Sequence, residues 1–431
     1  VHSDDLLAAR KLARPEAVLD VAGRQSVDLI VPISNGEPVR ILDIYEQHAD
    51  ELRSVRVNQM HALRDRPMMH GEFGDRLRHV SYFLSDVTRP CFHAGTVDLV
   101  PNHFSEVYEI MLRRSRDPVV VAAVSPPDRH GTFSLGVCAD YVASFIGRVP
   151  FVVEVNPNMP RTFGRNQIHV SQVSGWIEGD APLIEVPPAE PDELDHAIAA
   201  LVAERIPDGV TIQTGIGAIP NAILASLRGH RDLGIHTELL SDGLIDLVEM
   251  GVVNGIRKRN NRTKMIGTFA LGTKRLYDFL DDNDMIELWP VRYVNDPRRL
   301  AGEPNFVSIN ATLSVDFLGQ CASETIGGRY YSGSGGQVDF ARGAMYSEGG
   351  QGFVVLRSTA RDGTVSRIVP TLAPGDVVTT MKNTVDKVVT EFGVAELRGR
   401  SIRERAKALI AIAHPAFRDE LTAAARKMAY L

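Results

Sequence analysis

The alternation of apolar and polar positions along this chain makes one pattern and then makes it again. Near the start, a helical stretch over 15–22 leads into the strand-like run Ser26-Val-Asp-Leu-Ile-Val-Pro32. Ser34-Asn-Gly-Glu-Pro-Val-Arg-Ile-Leu42 follows. In the middle, a helical stretch over 192–205 leads to Gly209-Val-Thr-Ile-Gln213 and then Thr214-Gly-Ile-Gly-Ala-Ile-Pro-Asn-Ala-Ile-Leu224. Each copy predicts helix, strand, glycine-containing loop, proline, helix. Further on, Val121-Ala-Ala-Val-Ser-Pro-Pro-Asp-Arg-His-Gly131 is echoed by Val307-Ser-Ile-Asn-Ala-Thr-Leu-Ser-Val-Asp-Phe-Leu-Gly319, and both end in Asp-x-x-Gly. From the loop proline to that aspartate, Pro38 to Asp128 is 90 residues and Pro220 to Asp316 is 96. Two landmarks at nearly equal spacing indicate an internal duplication.

Val186-Pro-Pro-Ala-Glu-Pro-Asp-Glu193 reads as the linker, because its prolines fit neither a helix interior nor a central strand. The division is therefore residues 1–187 and 188–431, two pseudo-equivalent open α/β domains. Ligands of such sheets bind where loops leave the carboxyl ends of strands, so an active site in a cleft between the domains is expected. The stretch Ser401-Ile-Arg-Glu-Arg-Ala-Lys-Ala-Leu-Ile-Ala-Ile-Ala413 predicts an amphipathic packing helix, with Ile402, Ala406, Leu409 and Ile410 on one face.

Composition narrows the function. With 431 residues, 44% hydrophobic and 23% charged, the chain can build two real cores. A net charge of -7 without a basic face argues against nucleic acid, though not against a small anion. Cys91, Cys138 and Cys321 form no paired motif and read as small buried hydrophobes of a reducing compartment. The first residues lack a signal peptide's apolar core, and the run 118–124 is too short to span a membrane. A cytoplasmic protein is expected, without membrane or nucleic-acid partners.

Three segments can carry chemistry. In Gly234-Ile-His-Thr-Glu-Leu-Leu-Ser-Asp-Gly243, alternation predicts a strand running into a Ser-Asp-Gly turn. That places Glu238 near a strand's carboxyl end; taken alone, a surface strand residue is the favoured reading, and Asp242 reads as the N-cap of the next helix. Gly215-Ile-Gly217, between a strand and a helix, suits backbone contact with an anion, but Pro220 replaces the third glycine of a dinucleotide fingerprint. The small residues of Tyr331-Ser-Gly-Ser-Gly-Gly-Gln337 expose successive amides, as a ligand loop or a flexible hairpin would. The basic run 257–264 reads as a solvated loop. No metal-ligand spacing and no nucleophile elbow occurs, so neither a metal site nor a serine hydrolase is expected.

Taken together, these residues resemble the acetyl-CoA hydrolase/transferase family, a branch of the class I CoA-transferases that includes 4-hydroxybutyrate and butyrate:acetate CoA-transferases. The resemblance spans nearly the whole chain. It rests on Ser125-Pro-Pro-Asp-x-x-Gly131, Gln213-x-Gly-Ile-Gly-x-Ile-Pro220, His236-Thr-Glu-x-x-Ser-Asp-Gly243, Asn295-Asp-Pro297 and Ser308-Ile-Asn310. Gly333-x-Gly-Gly-Gln-x-Asp-Phe-x-Arg-Gly343, Thr390-Glu-x-Gly-Val-Ala395 and Ala413-His-Pro-x-Phe-Arg418 complete it. The chain departs from the family at Lys382, where arginine is common, and over 58–78, which matches nothing placed.

The resemblance implies a CoA-transferase fold and a covalent glutamyl-CoA thioester on Glu238. It implies an oxyanion and coenzyme A segment at Gly215, Ile216, Gly217, Ala218 and Ile219, with Asn295 near the oxyanion. Gly335 and Gly336 are implied as backbone contacts to coenzyme A, and Leu313 as a further one. Coenzyme A enters as substrate, with no tightly bound cofactor and no metal, and the protein is expected to be a homodimer. A glutamate of ordinary pKa is ionised at neutral pH and needs no general base. The reading is a ping-pong CoA-transferase using a short-chain carboxylate acceptor. Hydrolysis of acyl-CoA by the same glutamate is the alternative, and a non-catalytic acyl-CoA sensor on the same fold is the non-enzymatic one.

Overall fold

A computed structural model describes residues 3–431. They form two compact units, Val1–Val186 with Ile266–Val294, and Pro187–Met265 with Asn295–Leu431. The chain thus returns to the first unit after entering the second. A single cut at 187/188 does not separate the units, because 266–294 folds with the first.

The first unit is built on a seven-stranded parallel sheet. Its order is Gly175–Glu178, Phe151–Val155, Val119–Val124, Asp28–Ile30, Val55–Gln59, Leu77–Ser81 and Asp98–Leu99. All six residues of Val119–Val124 are buried. The apolar run at 118–124 is therefore a central parallel strand covered on both faces, which reads as continuous rather than alternating hydrophobicity. The three cysteines are free and buried, as their isolation in the sequence suggested.

The second unit's sheet runs Gly234–Ile235, Thr211–Thr214, Phe306–Ala311, Gln351–Val355, Lys387–Thr390 and Gly393–Glu396, with only the last pairing antiparallel. The duplication is visible in the registers. In the first sheet Leu29 pairs with Val57 on one side and Val119 on the other. In the second, Thr211 pairs with Gly234 and Phe306. Val120 then meets Phe151, as Val307 meets Gln351. Leu29 and Thr211 are thus equivalent, and counting forward aligns Pro38 with Pro220.

The segment 58–78, which matched no motif, is structural. Buried Arg66 donates to Glu37 (Nε to Oε1, 2.7 Å), Asp43 (2.9 Å) and Glu46 (3.1 Å). Those three acids lie on or beside the helix Val39–Gln47, so the guanidinium pins the segment to that helix. Met68 and Met69 add apolar burial behind it. At the other end of the chain, Ser401 and Glu404 form a reciprocal capping box for the helix Ile402–Ile412. Ala406, Leu409 and Ile410 pack as predicted, together with Ile412. Ile402 does not: in the first turn it is 48% exposed.

The stretch 181–192 contains neither helix nor strand, and 185–190 is exposed. Asp192 then caps the helix Glu193–Ala203 through Leu194 and Asp195 N–H. Limited proteolysis followed by mass mapping should therefore cut first within 185–192. A first cut inside 58–78 would contradict the packing of Arg66, Met68 and Met69.

Candidate active site

Glu238 leaves the second sheet where the sheet ends. The sequence predicted one strand through 235–240, but pairing stops at Ile235, and Glu238 lies in a bend before the short strand Leu239–Leu240. The cause is local: the buried Thr237 hydroxyl donates to Thr214 O at 2.9 Å. A side chain bonded to a neighbouring strand's carbonyl competes with continued sheet pairing. It also ties the residue before Glu238 to the residue before Gly215, which brings the two motifs to one edge. Asp242 stands at the N-cap of the helix Gly243–Glu249, as expected, but with a helical backbone (φ -54) and no capping hydrogen bond from its side chain.

Two groups hold the carboxylate. Asn295 Nδ2 donates to Glu238 Oε2 at 2.8 Å, and the Gly336 N–H donates to the same side chain. Asn295 is wholly buried, at the point where the chain re-enters the second unit. Asp296 beside it caps the helix Pro297–Ala301 through Arg298 N–H, which fixes the backbone. Gly336 must be glycine: a Cβ there would fall on Glu238 Oε2 and Asn295 Nδ2. The second glycine loop is therefore a wall of the carboxylate's socket.

The sequence expectation for the charge of Glu238 needs correcting. Burial pushes its carboxyl up to about 7, and the hydrogen bonds from Asn295 and Gly336 offset this only in part. In the ligand-free protein it is ionised in part, not fully, at neutral pH. The side chain is only partly buried, so one side stays open.

The first glycine loop has matching openness. Nothing lies within 4 Å of a Cβ built on Gly215, so the protein itself does not demand glycine there. Gly217 does need it, at φ 121. Ile216 between them is 46% exposed, while Ala218 and Ile219 begin the helix Ala218–Ser226, whose start no side chain caps. The sequence-predicted members Gly215 to Ile219, Asn295, Gly335 and Gly336 all belong to the second unit with Glu238. Leu313 does too, but its N–H is engaged by Ala322 O at 3.1 Å and is not available to a ligand.

Several supporting residues were not singled out from sequence. The Gln213 amide accepts from Ile309 N and exchanges hydrogen bonds with Asn310 (3.1 and 3.2 Å), locking adjacent strands below the loop. Both residues sat in quoted motifs, which was the available signal. Lys258, read as part of a solvated basic loop, is buried and donates to Ile235 O (2.9 Å) and Lys264 O (2.8 Å). His236 is buried edge-on to Phe306 at 6.3 Å, a structural placement. The other carboxylate considered from sequence, Glu391, is occupied by Ser358 N at 2.9 Å and by the Ser358 hydroxyl.

The duplication shows why only one half carries the carboxylate. Four residues beyond Val57 is His61, and four beyond Gly234 is Glu238, so histidine occupies the equivalent place in the first unit. There the helix Val39–Gln47 has its N-terminus filled from within: buried Glu154 accepts from Ile41 N at 3.0 Å. The matching strand position of the second unit is Val354, leaving the start of Ala218–Ser226 without that carboxylate.

The raised pKa of Glu238 has a consequence for stability. The native state holds this proton more firmly than the unfolded chain, so the stabilisation is complete below about 4.5 and is lost as pH rises through about 7. Glu238→Gln removes that dependence. In thermal unfolding it should match wild type near pH 4 and be more stable by about 3 kcal/mol above pH 7. Gly336→Ala, by contrast, should fold yet lose activity by about 10²-fold or more, because the new methyl displaces the carboxylate.

The chain is similar to known proteins along nearly its whole length. Residues 11–187 match the acetyl-CoA hydrolase/transferase N-terminal domain, and 272–425 match its C-terminal domain. The chain is 49% identical over 408 residues to a succinyl-CoA:cyclohexane-1-carboxylate CoA transferase of Geobacter metallireducens, covering 93% of this chain and 92% of that one. It is 43% identical over 389 residues to a 4-hydroxybutyrate coenzyme A transferase of Clostridium kluyveri, covering 90% of each. Among solved structures it superposes on RipA from Yersinia pestis with a TM-score of 0.94 at 37% identity, covering 100% of both chains. Among the described residues, no helix is long and apolar enough to cross a membrane, and no cluster of metal-ligating side chains occurs. The chain belongs to the acetyl-CoA hydrolase/transferase family.

Proposed function

We propose that this protein transfers coenzyme A from an acyl-CoA to a carboxylate acceptor, with Glu238 as the covalent nucleophile. The observation that carries the reading is the Glu238 socket: a part-open carboxylate held by Asn295 Nδ2 and the Gly336 N–H, on the edge that bears the open Gly215–Gly217 turn. The 4-hydroxybutyrate transferase among the relatives supports a short-chain acid, and the cyclohexane-1-carboxylate transferase supports a carboxylic acid more generally.

The steps follow from that geometry. A Glu238 oxygen attacks the thioester carbonyl, the C–S bond breaks, and CoA thiolate leaves an acyl-glutamyl anhydride. The thiolate then attacks the glutamyl carbonyl, releasing the first carboxylate and leaving a glutamyl-CoA thioester. An incoming carboxylate reverses both steps, restoring the Glu238 carboxylate. Each tetrahedral intermediate places negative charge on oxygen, and the donors on the page are Asn295 Nδ2 and the amides of the glycine turns. One such donor contributes roughly 3–4 kcal/mol to the transition state. A carboxyl near 7 is also a more basic nucleophile once ionised. The acceptor enters as a carboxylate anion and needs no proton removed before it attacks.

Hydrolysis uses the same first steps, with water resolving the thioester. The two are separated by assaying acyl-CoA with and without acetate: transfer gives acetyl-CoA without free thiol, and hydrolysis gives thiol in both. Initial rates with donor and acceptor varied should give parallel double-reciprocal lines; intersecting lines mean a ternary complex and no covalent intermediate. Protein trapped after incubation with acyl-CoA and digested should carry its adduct on the peptide containing Glu238. Glu238→Gln should lower exchange by several orders of magnitude, and Glu238→Asp, set back by roughly 1.5 Å, by about 10²-fold or more. In the free enzyme kcat/KM should fall as pH drops below about 7, as the nucleophile is protonated. An adduct elsewhere, or a Glu238→Gln protein with near-normal exchange, rejects the assignment.

A further inference from the structure

The second unit contains a small, part-open cavity of about 10 Å³, lined in part by Ser308, Asn310, Gln337, Thr380, Thr384 and Asp386. That volume admits one water and nothing larger. Two of its lining residues carry buried polar atoms without a hydrogen-bond partner among the described residues, Gln337 Nε2 and Thr380 Oγ1. Gln337 is 8% exposed and Thr380 0%. An unmade hydrogen bond at such depth is rare in folded proteins, and two on the wall of one water-sized space point to a shared occupant. The Nε2 hydrogens turn away a cation and call for an acceptor, while the threonine hydroxyl can accept or donate. Water satisfies both.

We propose that a single buried water bridges Gln337 Nε2 and Thr380 Oγ1, and that through it these two residues position Gly336 against Glu238. The proposal rests on the reading of Glu238 as nucleophile. Gln337 is the first residue of the helix Gln337–Tyr346 and directly follows Gly336. Anchoring its side chain therefore fixes the backbone whose N–H meets the carboxylate. The opposite wall is rigid. Thr380 O accepts from Cys321 N at 3.0 Å and Thr379 N donates to Cys321 O at 2.8 Å. Asp386 is held by Gly352 N at 3.0 Å and Lys387 Nζ at 2.8 Å. The Gly336 N–H is one of the two donors to the Glu238 carboxylate, so a shift of the Gln337 backbone moves a group that holds the nucleophile. Gln337 and Thr380 are positioning residues on this account and touch no substrate.

The test separates positioning from packing. Thr380→Val keeps the shape and removes the hydroxyl; it should lower kcat for CoA exchange about tenfold while KM for acyl-CoA stays within about twofold. Thr380→Ser restores the hydroxyl and should recover most of kcat. Gln337→Leu should fall like Thr380→Val, and the double variant should be no worse than the poorer single, because both act through one water. Wild-type kcat in Thr380→Val, no recovery in Thr380→Ser, or additive losses in the double variant would overturn the proposal. A high-resolution crystal structure of the wild type decides independently of activity and of whether the variants fold. A water within hydrogen-bond distance of both atoms supports the bridge, and a dry cavity or a bound ion refutes it. If the wild type exchanges no coenzyme A, the proposed function fails while the crystallographic water still answers for the bridge.

Discussion

The parallel register of Thr211–Thr214 with its two neighbours is the constraint from which the site follows. Parallel strands all release their loops at one edge. Pairing Thr211 with Gly234 on one side and Phe306 on the other therefore puts the 215–217 turn and the 236–238 bend side by side. A slip of one residue would reverse every side chain's face and carry Glu238 away from Asn295. The register is protected from within the sheet: the Gln213–Asn310 amide pair and the Thr237–Thr214 bond both tie side chains to neighbouring strands. Lys258 closes the outer side by bonding the Ile235 carbonyl, where the edge strand ends.

On that frame the electrostatics of Glu238 are a compromise. A carboxylate supplied with many donors would be held ionised and poorly nucleophilic; one with none would stay protonated. Two donors against partial burial leave its pKa at about 7. The cost is a native state that is less stable at high pH than it would be with a neutral side chain, a familiar exchange of stability for function at reactive sites. Gly336 makes the arrangement possible, since any larger residue would occupy the space of the carboxylate itself.

The duplicated halves show how the same framework can be used differently. With equivalent strands in equivalent registers, the first unit has His61 where the second has Glu238. It seals its helix start with Glu154 where the second has Val354. A buried carboxylate satisfying Ile41 N–H occupies the place where an anionic ligand would meet a helix N-terminus. The counterpart at Ala218–Ser226 has no side chain capping its start.

Residue order alone was enough for the repeat, the α/β class, the linker prolines and the motifs that mark Glu238 and the glycine turns. These are local: periodicity, turn chemistry and spacing are written in neighbouring residues. Other features depended on pairings between distant segments. That 266–294 folds back into the first unit is decided by its contacts with that unit. The bend at Glu238 required the Thr214 carbonyl to be present to compete for Thr237, so alternation wrongly extended the strand. Lys258 looked solvated because its neighbours are basic, yet two backbone carbonyls, one from a distant strand, draw it inside. The charge of Glu238 was misjudged for the same reason: burial, which only the tertiary fold decides, raises its pKa, and the hydrogen bonds from Asn295 and Gly336, far from it along the chain, offset that only in part.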